Sequence, residues 1–214
     1  MRSLRNKRLL ITAGPTWVAI DRVRVISNIA SGRTGMFLAN YAKKMGAGVT
    51  LLLGPVGDMA VASGIKVVRF NLFSELFSQL KKELTKNKYD IVIHSAAVSD
   101  YRPKITFGHK LKSGKRNLGL ELSPTLRIVD RIKKIKPKVF LVAFKLEFGL
   151  TRAELIKEAL QLLRRTRANL VVANTFSKKQ YSALLIDKDG LILAKANSKL
   201  ALSLKLLKTI KDLL

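Results

Sequence analysis

Hydrophobic and polar positions in this chain follow two alternating rhythms. Short apolar runs occur at 8–13 (RLLITA), 49–53 (VTLLL), 66–70 (KVVRF), 90–94 (DIVIH), 139–144 (VFLVAF) and 169–173 (NLVVA). Between them, apolar residues recur every three or four positions, which predicts helices over 34–45, 72–84, 125–135 and 152–165. In the last of these, Leu155, Ile156, Ala159, Leu162 and Leu163 fall on one helical face. Strands that are apolar at consecutive positions suit a parallel sheet buried on both faces, and the intervening helices supply its crossovers. Near the end, YSALLIDKDGLILAKAN reads as two strands around an Asp-Gly turn, followed over 200–214 by an apolar stripe backed by lysines. The expectation is an α/β chain: an open, doubly wound, mostly parallel sheet with a C-terminal β-hairpin and a docked helix, in a single domain spanning 1–214.

Composition narrows the chemistry. The 214 residues are 48% hydrophobic and contain no cysteine and two histidines. That leaves no thiolate nucleophile, disulfide or cysteine metal site, and little basis for a histidine-rich one, so no protein-held metal is expected. The longest apolar run is far short of the ~20 residues that span a bilayer, and the apolar stretch after the basic N-terminus is too short for a signal-peptide core. A cytoplasmic protein is expected. Charge is lopsided: 41 Lys and Arg against 14 Asp and Glu give a net +27. Such a surplus favours an anionic partner, either nucleic acid or a negatively charged small substrate, or else simply a solvated basic surface. The basic residues are spread along the chain and only 7% of residues are aromatic, which gives few platforms for stacking bases.

Open parallel sheets bind ligands beyond the carboxyl ends of their strands. Here those ends carry Ala13-Gly14-Pro15-Thr16, His94-Ser95-Ala96-Ala97-Val98-Ser99-Asp100, Phe144-Lys145 and Asn174. After the first strand the chain makes an excursion before Ser31-Gly32-Arg33-Thr34-Gly35 opens a helix. Free N–H groups and the positive dipole end make such a turn a phosphate seat. The stretch carries neither the G-x-G-x-x-G of dinucleotide binders nor a Walker A loop.

Taken together, ITAGPTWVAIDRVRVISNIASGRTG, HSAAVSDYRPK, KLKSG, VAFKLEF and VVAN, in that order, resemble phosphopantothenate–cysteine ligase, also called phosphopantothenoylcysteine synthetase, over nearly the whole chain. The resemblance is to the stand-alone form without the flavin-dependent decarboxylase. It implies a Rossmann-like fold and nucleotide-dependent activation of the phosphopantothenate carboxylate, followed by attack of the cysteine amine, a step in coenzyme A biosynthesis. The cofactors implied are Mg²⁺ and CTP or ATP as a substrate, with CTP favoured. A homodimer is also implied, because the family's flap, here about 102–118, crosses to a second subunit. Neither a membrane nor nucleic acid is required.

Residue roles follow from the same resemblance. Asn28 matches the carboxamide that contacts the acyl-nucleotide, and Arg24 a substrate-binding arginine. Ser31, Gly32 and Gly35 match the phosphate-binding turn. His94, Ser95 and Ala96 lie in the nucleotide stretch, with His94 matched as a strand-end residue and not as a catalyst. Asp100 matches a nucleotide-contacting aspartate, Lys110 the catalytic lysine of the flap, and Phe144 and Lys145 the nucleotide pocket. Asn174 is matched to the substrate phosphate or its loop. The chain departs from the family pattern at Val18, Ser113, Leu126-Arg127, Leu162 and Thr166. Two other readings stay open: a basic nucleic-acid-binding protein, and a degenerate relative that has kept the fold and lost nucleotide use.

Overall fold

The computed structural model describes residues 3–57, 60–114, 116–177 and 180–214. In chain order the elements are β1 (Arg8–Ala13), β2 (Trp17–Ala19), β3 (Val25–Ser27), α1 (Arg33–Lys44), β4 (Gly48–Leu53), β5 (Lys66–Arg69), α2 (Phe73–Lys86) and β6 (Ile91–His94). They continue with β7 (Tyr101–Pro103), β8 (Leu122–Pro124), α3 (Val129–Ile135), β9 (Phe140–Phe148), α4 (Arg152–Thr166), β10 (Leu170–Ser177), β11 (Gln180–Asp187), β12 (Ile192–Ala196) and α5 (Lys199–Leu213).

Eight strands form one sheet in the order β12-β11-β10-β9-β6-β1-β4-β5. The six from β10 to β5 are parallel, and β11 and β12 are antiparallel additions at one edge. Numbering the parallel strands by their order in the chain gives 3-2-1-4-5-6, the doubly wound arrangement whose strand order reverses between β1 and β6. The Rossmann-like expectation and the C-terminal hairpin and helix are therefore observed.

Both faces are covered, as the apolar strands require. Leu9, Ile11, Val49, Leu51, Ile93 and Val172 pack on one side with Leu38 and Ala39 of α1 and Leu202 and Leu206 of α5. Leu10, Leu52, Val92, Leu141 and Val171 pack on the other with Leu76 and Leu80 of α2, Ile132 of α3 and Leu155 and Ala159 of α4. Helix α4 begins where expected because Thr151 and Glu154 form a reciprocal capping box.

Three features differ from the sequence expectation. Helix α3 starts at Val129, not 125. Residues 122–124 pair with 101–103 as a ribbon, and Thr125 is drawn back by bonds from its N–H to the Asp100 carbonyl and from its hydroxyl to the Ser99 carbonyl. Strands β9 and β10 run on to Phe148 and Ser177, paired through Phe148 and Phe176, beyond the apolar runs that announced them. A second ribbon, β2–β3, occupies the excursion after β1.

Candidate functional site

The crevice between β1 and β6 is floored by main chain. Past their ends the two strands keep a parallel bridge between Pro15 and Ala97. The Ala97 N–H donates to the Gly14 carbonyl at 2.9 Å, and the Thr16 N–H to the Ala97 carbonyl at 3.2 Å. Buried side chains lock this continuation. Thr16 Oγ1 accepts the Ser99 N–H at 2.9 Å and donates to Ser99 Oγ, which in turn donates to the Thr16 carbonyl. The Ser95 hydroxyl donates to the Thr12 carbonyl at 2.7 Å, and Thr12 Oγ1 accepts the Ala96 N–H.

His94 lies under this floor. It is buried and hydrogen-bonded through Nδ1 to Thr12 Oγ1 at 2.9 Å, and burial pushes its pKa down to about 4. The ring is neutral at pH 7 and serves as a structural strand-end residue.

The turn into α1 forms one wall. Gly32 caps the helix with a left-handed φ of 67°, and no side chain caps the N-terminus nor does any acidic residue occupy its first turn. The first-turn amides are therefore available to an anion. Gly35 allows the helix to touch the floor: a Cβ there would fall 2.4 Å from Ala13 Cβ and 2.9 Å from Ser95 Oγ. Lys199 Nζ, at the start of α5, reaches Ser31 Oγ at 3.5 Å.

Asn28 ties this wall to the floor. Its Nδ2 donates to the carbonyls of Ala97 and Val98 at 3.2 and 3.1 Å, while the residue stays exposed. The amide group that sequence reasoning offered to a ligand is thus engaged by main chain, which leaves Oδ1 as its free polar atom.

The segment between β7 and β8 is seated on the β2–β3 ribbon. Its Lys104 N–H bonds the Glu121 carbonyl, and the Phe107 N–H bonds the Ile20 carbonyl at 2.9 Å. Lys110 is exposed, whereas Leu111 beside it is buried. Lys115 of the expected flap lies outside the described residues.

Arg24 faces this segment. Its Nη2 donates to the Leu111 carbonyl at 2.6 Å, and its Nε lies 3.5 Å from Asp21 Oδ2. Asp100 is exposed at the end of the floor.

The remaining candidates divide between the two faces of the sheet, because consecutive strand residues point to opposite sides. Phe144 packs against the α1–α5 cluster, and the β9–β10 register puts Asn174 on that same face. Asn174 Oδ1 is buried and has no hydrogen-bond partner among the described residues, so an acceptor awaits a donor there. Lys145 faces α4 instead, paired with Glu147 at 2.7 Å and Glu158 at 3.2 Å. Burial works against its charge, but the two carboxylates outweigh burial and raise its pKa.

Sequence reasoning named Thr16 and Ser99 only as strand-end residues and gave no role to them or to Asp21, Glu147 or Glu158. Only Asp21, a lone acid between Ile20 and Arg22 in a polar turn, gave a local signal, that of an Asx turn. Among the described residues, no group of three or more His, Asp or Glu side chains converges as a metal site. No helix among them is long and apolar enough to cross a membrane.

A glycine-lined, uncapped helix N-terminus meeting a main-chain floor at the switch point of a 3-2-1-4-5-6 sheet defines a Rossmann-like protein whose crevice has helix amides free to face an anion. The chain belongs to the family described as DNA/pantothenate metabolism flavoprotein C-terminal domain, whose model matches residues 4–213. It is 41% identical over 192 residues to the coenzyme A biosynthesis bifunctional protein CoaBC of Thermococcus kodakarensis, an alignment covering 88% of this chain and 47% of that protein. The chain spans about half the length of the curated relatives it matches. The crystal structure of the C-terminal domain of a CoaBC superposes with a TM-score of 0.81 at 29% identity, covering 100% of this chain and 98% of that one. A Cab2 variant in complex with phosphopantothenate-cysteine shares the fold, with a TM-score of 0.76 at 18% identity over 97% of this chain and 87% of the other.

Proposed function

We propose that the chain is a phosphopantothenate–cysteine ligase domain spanning 1–214, with a flap at about 102–118. A carboxylate oxygen of phosphopantothenate attacks the α-phosphorus of a nucleoside triphosphate, and the bond to pyrophosphate breaks. The cysteine nitrogen then attacks the acyl carbon of the mixed anhydride, loses a proton and expels the nucleoside monophosphate. No protein nucleophile enters either step. What the reaction demands is cations and amide donors around anionic oxygens.

The observation that carries this reading is the meeting of the uncapped α1 N-terminus with the Asn28-tied floor at the switch point of the sheet; the Lys110 segment, seated on the β2–β3 ribbon, is assigned to the same site by the proposal. In it, the turn from Ser31 to Gly35 with Ser95 and Ala96 receives phosphate. Asn28 and Arg24 hold the acyl substrate, and Lys110 supplies positive charge to the triphosphate. Phe144 and the orphaned acceptor of Asn174 serve the nucleotide and substrate on the α1 side of the sheet. The Cab2 neighbour with its bound phosphopantothenate-cysteine supports the same substrate class.

Mg²⁺ favours phosphate oxygens and waters with one or two carboxylates. The exposed Asp100 at the end of the floor suits a metal carried in on the triphosphate. When bound, Mg²⁺ supplies charge to the departing pyrophosphate.

CTP is the preferred donor in this proposal, with ATP as the alternative, and the working compartment is the cytoplasm. A homodimer is part of the same reading. It is supported by Leu146 and Phe148, both exposed where β9 runs past the end of β6, with Phe148 stacked on Phe176.

The test is pyrophosphate release with phosphopantothenate, Mg²⁺ and each nucleoside triphosphate in turn. Release is expected before cysteine is added, fastest with CTP. Release that requires cysteine from the outset argues against an acyl-nucleotide intermediate. No release with any nucleotide favours the degenerate relative.

A further inference from the structure

Asp21 sits where the β2–β3 ribbon meets the flap, and its carboxylate is fully enclosed. Oδ1 accepts the N–H groups of Val23 and Arg24 at 2.8 and 2.7 Å, which shapes the turn of the ribbon. Oδ2 looks outward from that turn and accepts the N–H of Leu111 at 3.1 Å, across 90 residues of sequence. The Arg24 guanidinium, held beside Oδ2, donates to the carbonyl of the same residue at 2.6 Å. Both main-chain groups of Leu111 are thereby gripped, and its side chain is 5% exposed.

A buried carboxylate is costly unless its lone pairs are satisfied, and here three N–H groups and a guanidinium satisfy them. The Val23 N–H holds the carboxyl below the usual carboxylate range, against burial and with help from the N–H groups of Leu111 and Arg24 and from the guanidinium. An enclosed anion that commits one of its three hydrogen bonds to a loop 90 residues away does more than cap a turn. It sets the register of that loop.

We infer that Asp21 is a positioning residue for Lys110: with Arg24 it clasps the adjacent Leu111 peptide and fixes the flap on the β2–β3 ribbon. The inference deepens the ligase reading and rests on it for what Lys110 does. It does not rest on it for the clasp itself. Because the guanidinium in the clasp is also the one assigned to the acyl substrate, one side chain joins the substrate side of the crevice to the flap.

The test compares the wild type with Asp21→Asn, Lys110→Ala and the double variant. Asparagine retains an oxygen for Val23 and Arg24 but turns an N–H group toward the Leu111 amide. Asp21→Asn is expected to lower turnover at least about tenfold and raise the nucleotide KM. In the Lys110→Ala background it should cause little further loss, because residues acting through one another are not additive. Trypsin cleavage after Lys110 and Lys112 should accelerate several-fold, with circular dichroism unchanged. Multiplying losses, or an unchanged cleavage rate, overturn the inference.

Amide exchange in the unaltered protein supplies an arm that needs no variant to fold. The Leu111 amide is expected to exchange more slowly than those of Gly108 and Lys110, and equal, rapid exchange overturns the clasp. If the wild type releases no pyrophosphate with any nucleotide, the ligase reading fails. The exchange and cleavage arms then still decide whether Asp21 clasps the flap.

Discussion

The floor of the crevice and the flap are both loops, yet they are held in different ways. The floor extends the parallel pairing of β1 and β6, with main-chain bonds between Gly14, Thr16 and Ala97 and the buried hydroxyls of Thr12, Thr16 and Ser99 beneath. The flap hangs between the strands of a three-residue ribbon and meets the rest of the chain through bonds to Ala19, Ile20, Asp21 and Arg24. A surface built from backbone presents fixed dipoles at no reorganisation cost, which suits charge that develops in a transition state. The flap is tied at Phe107 and at Leu111, and the residues between them, Gly108 to Lys110, are exposed. The difference teaches that the floor is fixed by continuous strand pairing and the flap by a few separate ties.

The contrast is tested most strongly at Asn28, where wall and floor are joined. Asn28→Ala removes both ties to Ala97 and Val98 together with the free Oδ1, and a misplaced reacting group costs on the order of 10²-fold in rate. Turnover should fall by about that factor with little change in nucleotide KM, whereas Lys110→Ala should raise the nucleotide KM as well as slow turnover. Steady-state kinetics with circular dichroism on both variants check this. A folded Asn28→Ala protein that keeps more than half the wild-type rate breaks the comparison.

A smaller effect belongs to the underside of the floor. His94 is held neutral with a pKa of about 4, below the ordinary 6.5. Between those values the unfolded chain binds a proton that the folded one does not. Stability contributed here is full above pH 6.5 and falls as pH drops towards 4, at up to about 1.4 kcal/mol per pH unit. Urea unfolding at pH 7.5 and 5.5 should show the loss, and His94→Gln should flatten it. An unchanged slope in the variant removes His94 from the floor's foundations.

The smallest effect is expected at the root of the flap. Lys104 and Glu121 form a 2.8 Å ion pair, but their side chains are 60% and 71% exposed. Lys104→Ala should cost less than about 1 kcal/mol in thermal or urea unfolding and leave turnover unchanged. A larger cost would mean that the flap is braced at its root and not only at Asp21.

How legible each part was in the sequence depends on how local its cause is. Strand β1 matched its apolar run residue for residue, because five consecutive buried positions after Arg8 leave no other reading. The ends of β9 and β10 were hidden because Lys145, Glu147 and Asn174 interrupt the apolar pattern there, although their pairing with neighbouring strands continues. Ribbon β2–β3 was missed for a similar reason: its strands are three residues long and β3 is largely exposed. Phe144 and Lys145 read as one pocket in sequence, but the pleat sends them to opposite faces of the sheet.

Apolar runs, helical periodicity and turn glycines act within a few residues, so the chain's own order was enough to specify an α/β sheet and to mark Ser31, Gly32, Gly35 and Ser95 at strand and helix ends, while Asn28 was marked by the family resemblance. Which of those ends would meet was a matter for the crossovers. They brought Thr12 beside His94 across 82 residues and Asp21 beside Leu111 across 90. A carboxylate just ahead of two arginines in sequence, Arg22 and Arg24, looks like any charged turn until its surroundings close over it. Its partner is then chosen by packing, which no local pattern encodes.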